Sequence, residues 1–118
     1  MSSLLEHYGG FSKVQIVISD FYESVLDDNL LKDYFVHRDM NQLVDHQTKF
    51  IASIMGGFHS ITDKKLKNAH ANLQIDVTAF DKILTILEKT LHKHEFSRQD
   101  INKLMDVVIS KKPFIVTI

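Results

Sequence analysis

Four side chains are poorly explained by the apolar helix stripes around them: Tyr22, His46, Gln47 and His70. Tyr22 follows Phe21 inside such a stripe. His46 and Gln47 flank another, and His70 sits beside Ala69 between Leu66 and Leu73. A buried hydroxyl, amide or imidazole needs a partner. The hydroxyl and the amide can donate to a polar ligand, and the imidazole can ligate a metal or carry a proton. Each also has a simpler reading. Tyr22 can place its hydroxyl at a domain edge, Gln47 can cap a neighbouring backbone group, His46 can face water, and His70 can be an ordinary core or surface residue. Taken one at a time, the simpler readings carry more weight.

Several chemistries drop out. There is no cysteine, so disulfides, thiolate zinc sites, iron–sulfur clusters and cysteine nucleophiles are excluded. Seven histidines would suit zinc, but no HxxxH spacing occurs, and His92 and His94 lie two apart, on different helix faces. His7, His37, His59, His92 and His94 read as surface residues, the last two suited to a helix C-terminus. There is no GxSxG, no Gly-rich phosphate loop and no carboxylate pair of defined spacing. Lys and Arg total 14 and Asp and Glu 15, a net charge of −1, which excludes the basic footprint of a non-specific nucleic-acid binder. Neither a secretory start nor a membrane-length apolar run is present, so the expectation is a cytoplasmic chain with no membrane partner.

The elements that position these residues are helices. In 118 residues there are four glycines, paired as Gly9-Gly10 and Gly56-Gly57, and one proline. So few breakers argue for long helices in one domain, 1–118. Val14, Val17, Ile18, Phe21 and Val25 recur at steps of three and four, predicting a helix over Phe11 to Leu26 that Asp27-Asp28-Asn29 stops. Leu30 to Phe35 reads as a single turn or a 3₁₀ corner. Asp39 with Gln42 caps a helix ended by Gly56-Gly57. A short helix after Asp63 carries Leu66, His70 and Leu73. Thr78 with Asp81 is the expected cap of the next helix, and Ser97 with Asp100 opens the last, which Pro113 closes or kinks.

In this order the landmarks resemble the truncated haemoglobins, group I, the two-over-two globins. Tyr8-Gly9-Gly10 resembles the glycine hinge between the first two helices of that family. Phe21-Tyr22 resembles its Phe-Tyr run, and Tyr34-Phe35 the aromatic corner against the haem. His46-Gln47-Thr48-Lys49-Phe50 is similar to the helix on the distal side. Gly56-Gly57 matches the second glycine pair, Ala69-His70-Ala71-Asn72-Leu73 the segment of the proximal histidine, and Phe80-Asp81 the start of the following helix.

The resemblance implies an all-α, two-over-two sandwich around a non-covalent haem b, with His70 on the iron. Phe35, Leu43, Phe50, Ile51, Leu66, Leu73, Ile83 and Ile86 become the expected haem lining, with Leu84 beside them. Tyr22 is in position to donate to a dioxygen ligand, and Gln47 to the ligand or to Tyr22. Leu43 replaces a group that is often polar in relatives. His46 has two implied roles: reaching a haem propionate, or taking the sixth iron position when no ligand is bound. It is rotated about 100° from Gln47 on the helix, so ligation would need a shift of that helix. One of Lys64, Lys65 and Lys67 could pair with a propionate. Ile61, Asp63 and Lys65 depart from the family's usual residues ahead of His70.

The implied function is binding of dioxygen, nitric oxide and carbon monoxide. It extends to nitric oxide dioxygenation if an external reductant restores the iron. The alternative is a non-enzymatic haem-based sensor or helical interaction module.

Overall fold

The computed structural model describes residues 4–35, 38–56 and 75–112. Six helices carry them: α1 (Leu4–His7), α2 (Gly10–Asp27), α3 (Lys32–Phe35), α4 (Met40–Ile54), α5 (Val77–Lys93) and α6 (Arg98–Ser110). The expected short helix bearing Leu66, His70 and Leu73, and the tail after Pro113, lie outside the described residues.

Helix α2 buries Val14, Val17, Ile18, Phe21, Tyr22 and Val25, the stripe predicted from its 3.6-residue period. It runs one residue further at each end than expected. Gly9 caps it and Gly10 opens it, at φ of 105° and 82°, a left-handed turn that side-chain-bearing residues rarely adopt. Asp28 ends it: its Oδ1 accepts from the N–H groups of Leu30 at 2.9 Å and Leu31 at 3.1 Å. Helix α3 is the expected single turn and buries Phe35.

Two of the three expected caps are present. The Asp39 carboxylate accepts from the Gln42 N–H at 3.2 Å, and the Ser97 hydroxyl accepts from the Asp100 N–H at 3.1 Å. The third is corrected. Helix α5 is capped by Asp76, whose carboxylate accepts from the Ala79 N–H at 2.8 Å, and not by Thr78. Asp76 is held there by its neighbours: Ile75 is buried, and the Tyr34 hydroxyl approaches the Asp76 carboxylate at 3.5 Å.

Helix α5 ends in a Schellman turn. The Phe96 N–H donates to the Leu91 carbonyl at 3.1 Å and the Glu95 N–H to that of His92 at 3.0 Å. Glu95 takes the left-handed position, φ 68°, where glycine is usual. Leu91 and Phe96, the apolar pair of this motif, are both buried.

Helix α2 packs on α4 and α5, α5 on α6, and α4 on α6. These contacts make two layers of two long helices, the all-α two-over-two architecture expected. The core runs through their centre, from Val14 and Ile18 to Phe80, Leu91, Ile101 and Leu104. Among the described residues, no helix is long and apolar enough to cross a membrane. His94 departs from the expected surface residue: its side chain is mostly covered and meets Asp20 of α2.

Candidate functional site

Six of the functional candidates, drawn from α2, α3, α4 and α5, converge on one cavity. Tyr22, Phe35, Gln47, Phe50, Ile51 and Ile83 all line it, joined by Ile18, Phe21, Ile75, Phe80, Leu87 and Val108. The accessible space is about 50 Å³. A single water-sized sphere needs roughly 10–15 Å³, so a diatomic gas has room.

Helical periodicity explains who joins and who does not. Phe80, Ile83 and Leu87 are spaced by three and four, so one stripe of α5 faces inward. Leu87 and Phe80 were not singled out for the cavity, although this spacing was the available signal. Ile86 lines a separate shallow depression with Asp20, Ser24, Lys89, Thr90 and Lys93. Leu84 lies in another, with Met105 and Ile109 of α6. Leu43 is partly buried against the core and is not part of the cavity wall. Leu66, Leu73 and His70 lie outside the described residues, as do Lys64, Lys65 and Lys67.

Among the described residues, Tyr22 supplies one of the two polar side chains of this wall, Gln47 the other. Its ring is held edge-on by two phenylalanines, Phe21 at 4.9 Å and Phe35 at 5.9 Å between centroids. Burial alone pushes the Tyr22 hydroxyl far above the usual tyrosine range, because an apolar site disfavours the phenolate. The group therefore stays protonated at any physiological pH and is a fixed donor.

His46 is half-buried on α4, and its Nε2 atom is shielded from solvent. Burial lowers its pKa; the Asp45 carboxylate opposes this and Lys49 adds to it. The neutral imidazole so favoured is the form that ligates metals. His46 does not line the cavity; Gln47, one residue on, does.

The sequence resemblance implies a haem beside this cavity. An iron-bound gas that gains partial negative charge needs an apolar wall with few, protonated donors. The cavity has that composition, with Tyr22 as the protonated donor, so the residues fit the distal side of a haem pocket.

Comparison with known proteins leads to the same place. The sequence pattern of the bacterial-like globins matches residues 3–115. A group 1 truncated hemoglobin of Synechocystis sp. is 31% identical over 97 residues, covering 75% of this chain and 78% of that one. One from Mycolicibacterium paratuberculosis is 26% identical over 116 residues, covering 98% and 85%. The crystal structure of truncated hemoglobin from Tetrahymena pyriformis in its Fe(III) form superposes with a TM-score of 0.84 at 25% identity, covering 98% of both chains. The 2/2 hemoglobin of Synechococcus sp., solved in the cyanomet state with covalently attached heme, gives a TM-score of 0.81 at 26% identity, covering 99% of this chain and 100% of that one. Globins bind small gases at haem iron. By sequence pattern, relatives and fold together, the chain belongs to the bacterial-like globin family, as a truncated haemoglobin of the two-over-two type whose cofactor is haem.

Proposed function

We propose that this chain holds a non-covalent haem b through His70 and uses Tyr22 to retain dioxygen on the opposite side. The observation that carries the reading is the Tyr22 hydroxyl, buried and permanently protonated in the wall of an apolar cavity. Haem, when bound, supplies the iron that takes up the diatomic gas. The chain supplies the rest. His70 offers an imidazole nitrogen. Phe35, Phe50, Ile51 and Ile83 exclude water, and the Tyr22 O–H donates where the ligand gains negative charge. Gln47 offers an amide beside it. Leu66 and Leu73 flank His70 in sequence and belong to the same apolar enclosure. His46 serves either as a propionate contact or as an internal sixth ligand. In the second role it lowers apparent gas affinity by the fraction of molecules it leaves open.

The same site accommodates nitric oxide and carbon monoxide. With both nitric oxide and dioxygen it supports dioxygenation, in which the two combine with one electron to give nitrate. That electron comes from an external donor.

Absorption spectroscopy tests the core of this reading. The purified protein shows a Soret band, and His70→Ala loses it; an unchanged band in the variant overturns the assignment of His70. The ferrous, gas-free spectrum decides the role of His46. A low-spin spectrum abolished by His46→Leu assigns it to the iron, and a high-spin spectrum in the parent excludes that. For dioxygenation, the dioxygen-loaded protein is mixed with nitric oxide and nitrate is measured. Formation no faster than with free haem would sink the enzymatic role.

A further inference from the structure

On the outer side of α2, away from Tyr22, the end of α5 makes a clasp. His94 Nε2 lies 2.8 Å from Asp20 Oδ2, and Lys13 Nζ lies 3.2 Å from His94 Nδ1. Lys93 Nζ also reaches Asp20 Oδ2, at 3.0 Å. Lys13 and Asp20 are seven residues apart, two turns of one helix, so a single imidazole ties two turns of α2 to the adjacent element. The His94 side chain is 16% exposed and that of Asp20 21%, so the clasp is largely covered.

Only one protonation state satisfies both contacts. An ammonium has three donors and no acceptor, so the His94 nitrogen it meets must carry a lone pair. A carboxylate only accepts, so the nitrogen facing Asp20 must carry the proton. Both hold for neutral His94 with its proton on Nε2. A second proton, on Nδ1, would set a cationic ring against the Lys13 ammonium while leaving the Asp20 contact intact.

We propose that His94 is a positioning residue for α2: neutral, it fixes both Lys13 and Asp20, and on protonation it releases Lys13. The charged groups facing it are Lys13, Asp20 and, in the same surface depression, Glu23, all from α2, with Lys93 beside it in the chain. Asp20 and Tyr22 are two residues apart and point to opposite sides of α2. A loosened clasp therefore alters how firmly the Tyr22 hydroxyl is held over the cavity. This consequence rests on the reading of Tyr22 as a ligand donor; the protonation state of His94 does not.

Two measurements test it, both on the haem-loaded protein. Nitrogen NMR of the His94 ring in the carbon monoxide complex, at neutral pH, is expected to show a proton on Nε2 and none on Nδ1. A proton on Nδ1 overturns the assignment. Dioxygen release is then followed as the pH is lowered from about 8 to about 5. It is expected to quicken roughly two- to tenfold, the worth of one hydrogen bond, and the step to vanish in His94→Gln and Lys13→Met. A flat parent profile, or a step that survives in both variants, overturns the positioning role. Lys13→Met keeps its apolar stem, so it decides the matter if His94→Gln fails to fold. Tyr22→Phe separates the two proposals. If it leaves dioxygen release unchanged at neutral pH, the ligand-donor reading is wrong, while the NMR result stands.

Discussion

Tyr8 and Tyr22 present the same side chain in opposite settings. Tyr8, just after α1, donates its hydroxyl to Asp100 Oδ2 at 2.5 Å and accepts from the Ser97 N–H at 3.0 Å. Its ring stacks on Phe96, centroids 3.9 Å apart and planes 2° from parallel. The hydroxyl joins the cap of α6, and both ends of the residue are engaged by the protein itself. Among the described residues, the Tyr22 ring meets the edges of Phe21 and Phe35, and burial is the single cause of its raised pKa. A tyrosine that builds structure has its hydrogen bonds met from within the chain. Tyr22, proposed to serve a ligand, is desolvated in the wall of a cavity, at a cost the rest of the core must offset.

The comparison breaks most visibly at Tyr22. Tyr22→Phe is expected to quicken dioxygen release about tenfold or more, since hydrogen bonds to charge-bearing acceptors are worth about 1.5–3 kcal/mol. The Soret band persists and stability changes little, because the ring stays. Stopped-flow displacement of dioxygen by carbon monoxide measures it. An unchanged rate would return Tyr22 to the class of Tyr8.

Tyr8→Phe gives the opposite pattern. It removes two hydrogen bonds at the edge of the fold and is expected to lower unfolding free energy by about 1–2 kcal/mol, read from denaturant midpoints, with dioxygen release unaltered. The acid side of the stability profile sharpens this. The Tyr8 hydrogen bond is the foremost cause that holds the Asp100 carboxyl below its ordinary pKa of 3.8; the Ser97 bond and the charges of Lys103 and His7 add to it against burial. Lys93 and His94 hold Asp20 down in the same way. A carboxyl with a depressed folded pKa binds protons first in the unfolded chain. Its contribution is therefore complete above 3.8 and is lost as pH falls through the lower folded value. Melting temperatures should fall over that window in the parent and fall less in Tyr8→Phe, where the shares of Asp20 and of Asp28, whose carboxyl is also held below its ordinary range, persist in full.

Much of this was legible in the sequence because it is local. The stripe of α2, the caps Asp39 and Ser97, and Tyr22 inside a stripe all follow from spacing within one helix turn or two. What escaped depends on distant or atypical partners. His94 reads as a helix-end cation until Asp20, 74 residues earlier, is placed beside it. Asp76 and Thr78 are both capping residues, and the choice between them is made by Tyr34 and Ile75, not by the local sequence. Ile83 and Ile86 belong to one apolar run, and only the rotation of α5 against α2 sends them to different cavities.

The turn after α5 was hidden for another reason: its left-handed position holds Glu95, and the sequence offers no glycine to announce it. That turn presents Phe96 to Tyr8, so it belongs to the structural side of the comparison. Glu95→Gly relieves the left-handed strain and should raise stability by about 1 kcal/mol, seen as a higher denaturant midpoint. Gas binding should not move, and a shift in dioxygen release would show that the two regions are coupled through α5.

Thr48 is the smallest and most discriminating case. It sits on α4 one residue after Gln47, fully buried, and its hydroxyl has no hydrogen-bond partner among the described residues. It thus has the burial of Tyr22 without facing the cavity. If directing a donor into the cavity is what makes a buried hydroxyl functional, Thr48 is merely an unmet polar group. Thr48→Val keeps the shape and removes the hydroxyl, so it should raise stability by about 0.5–1 kcal/mol and leave dioxygen release at the parent rate. A loss of stability would mean that the hydroxyl is satisfied by a group in the segments not described. A change in release without a change in stability would extend the gas-binding wall beyond Tyr22 and Gln47 into the packing of α4, and the division drawn between the two tyrosines would have to be redrawn around that helix.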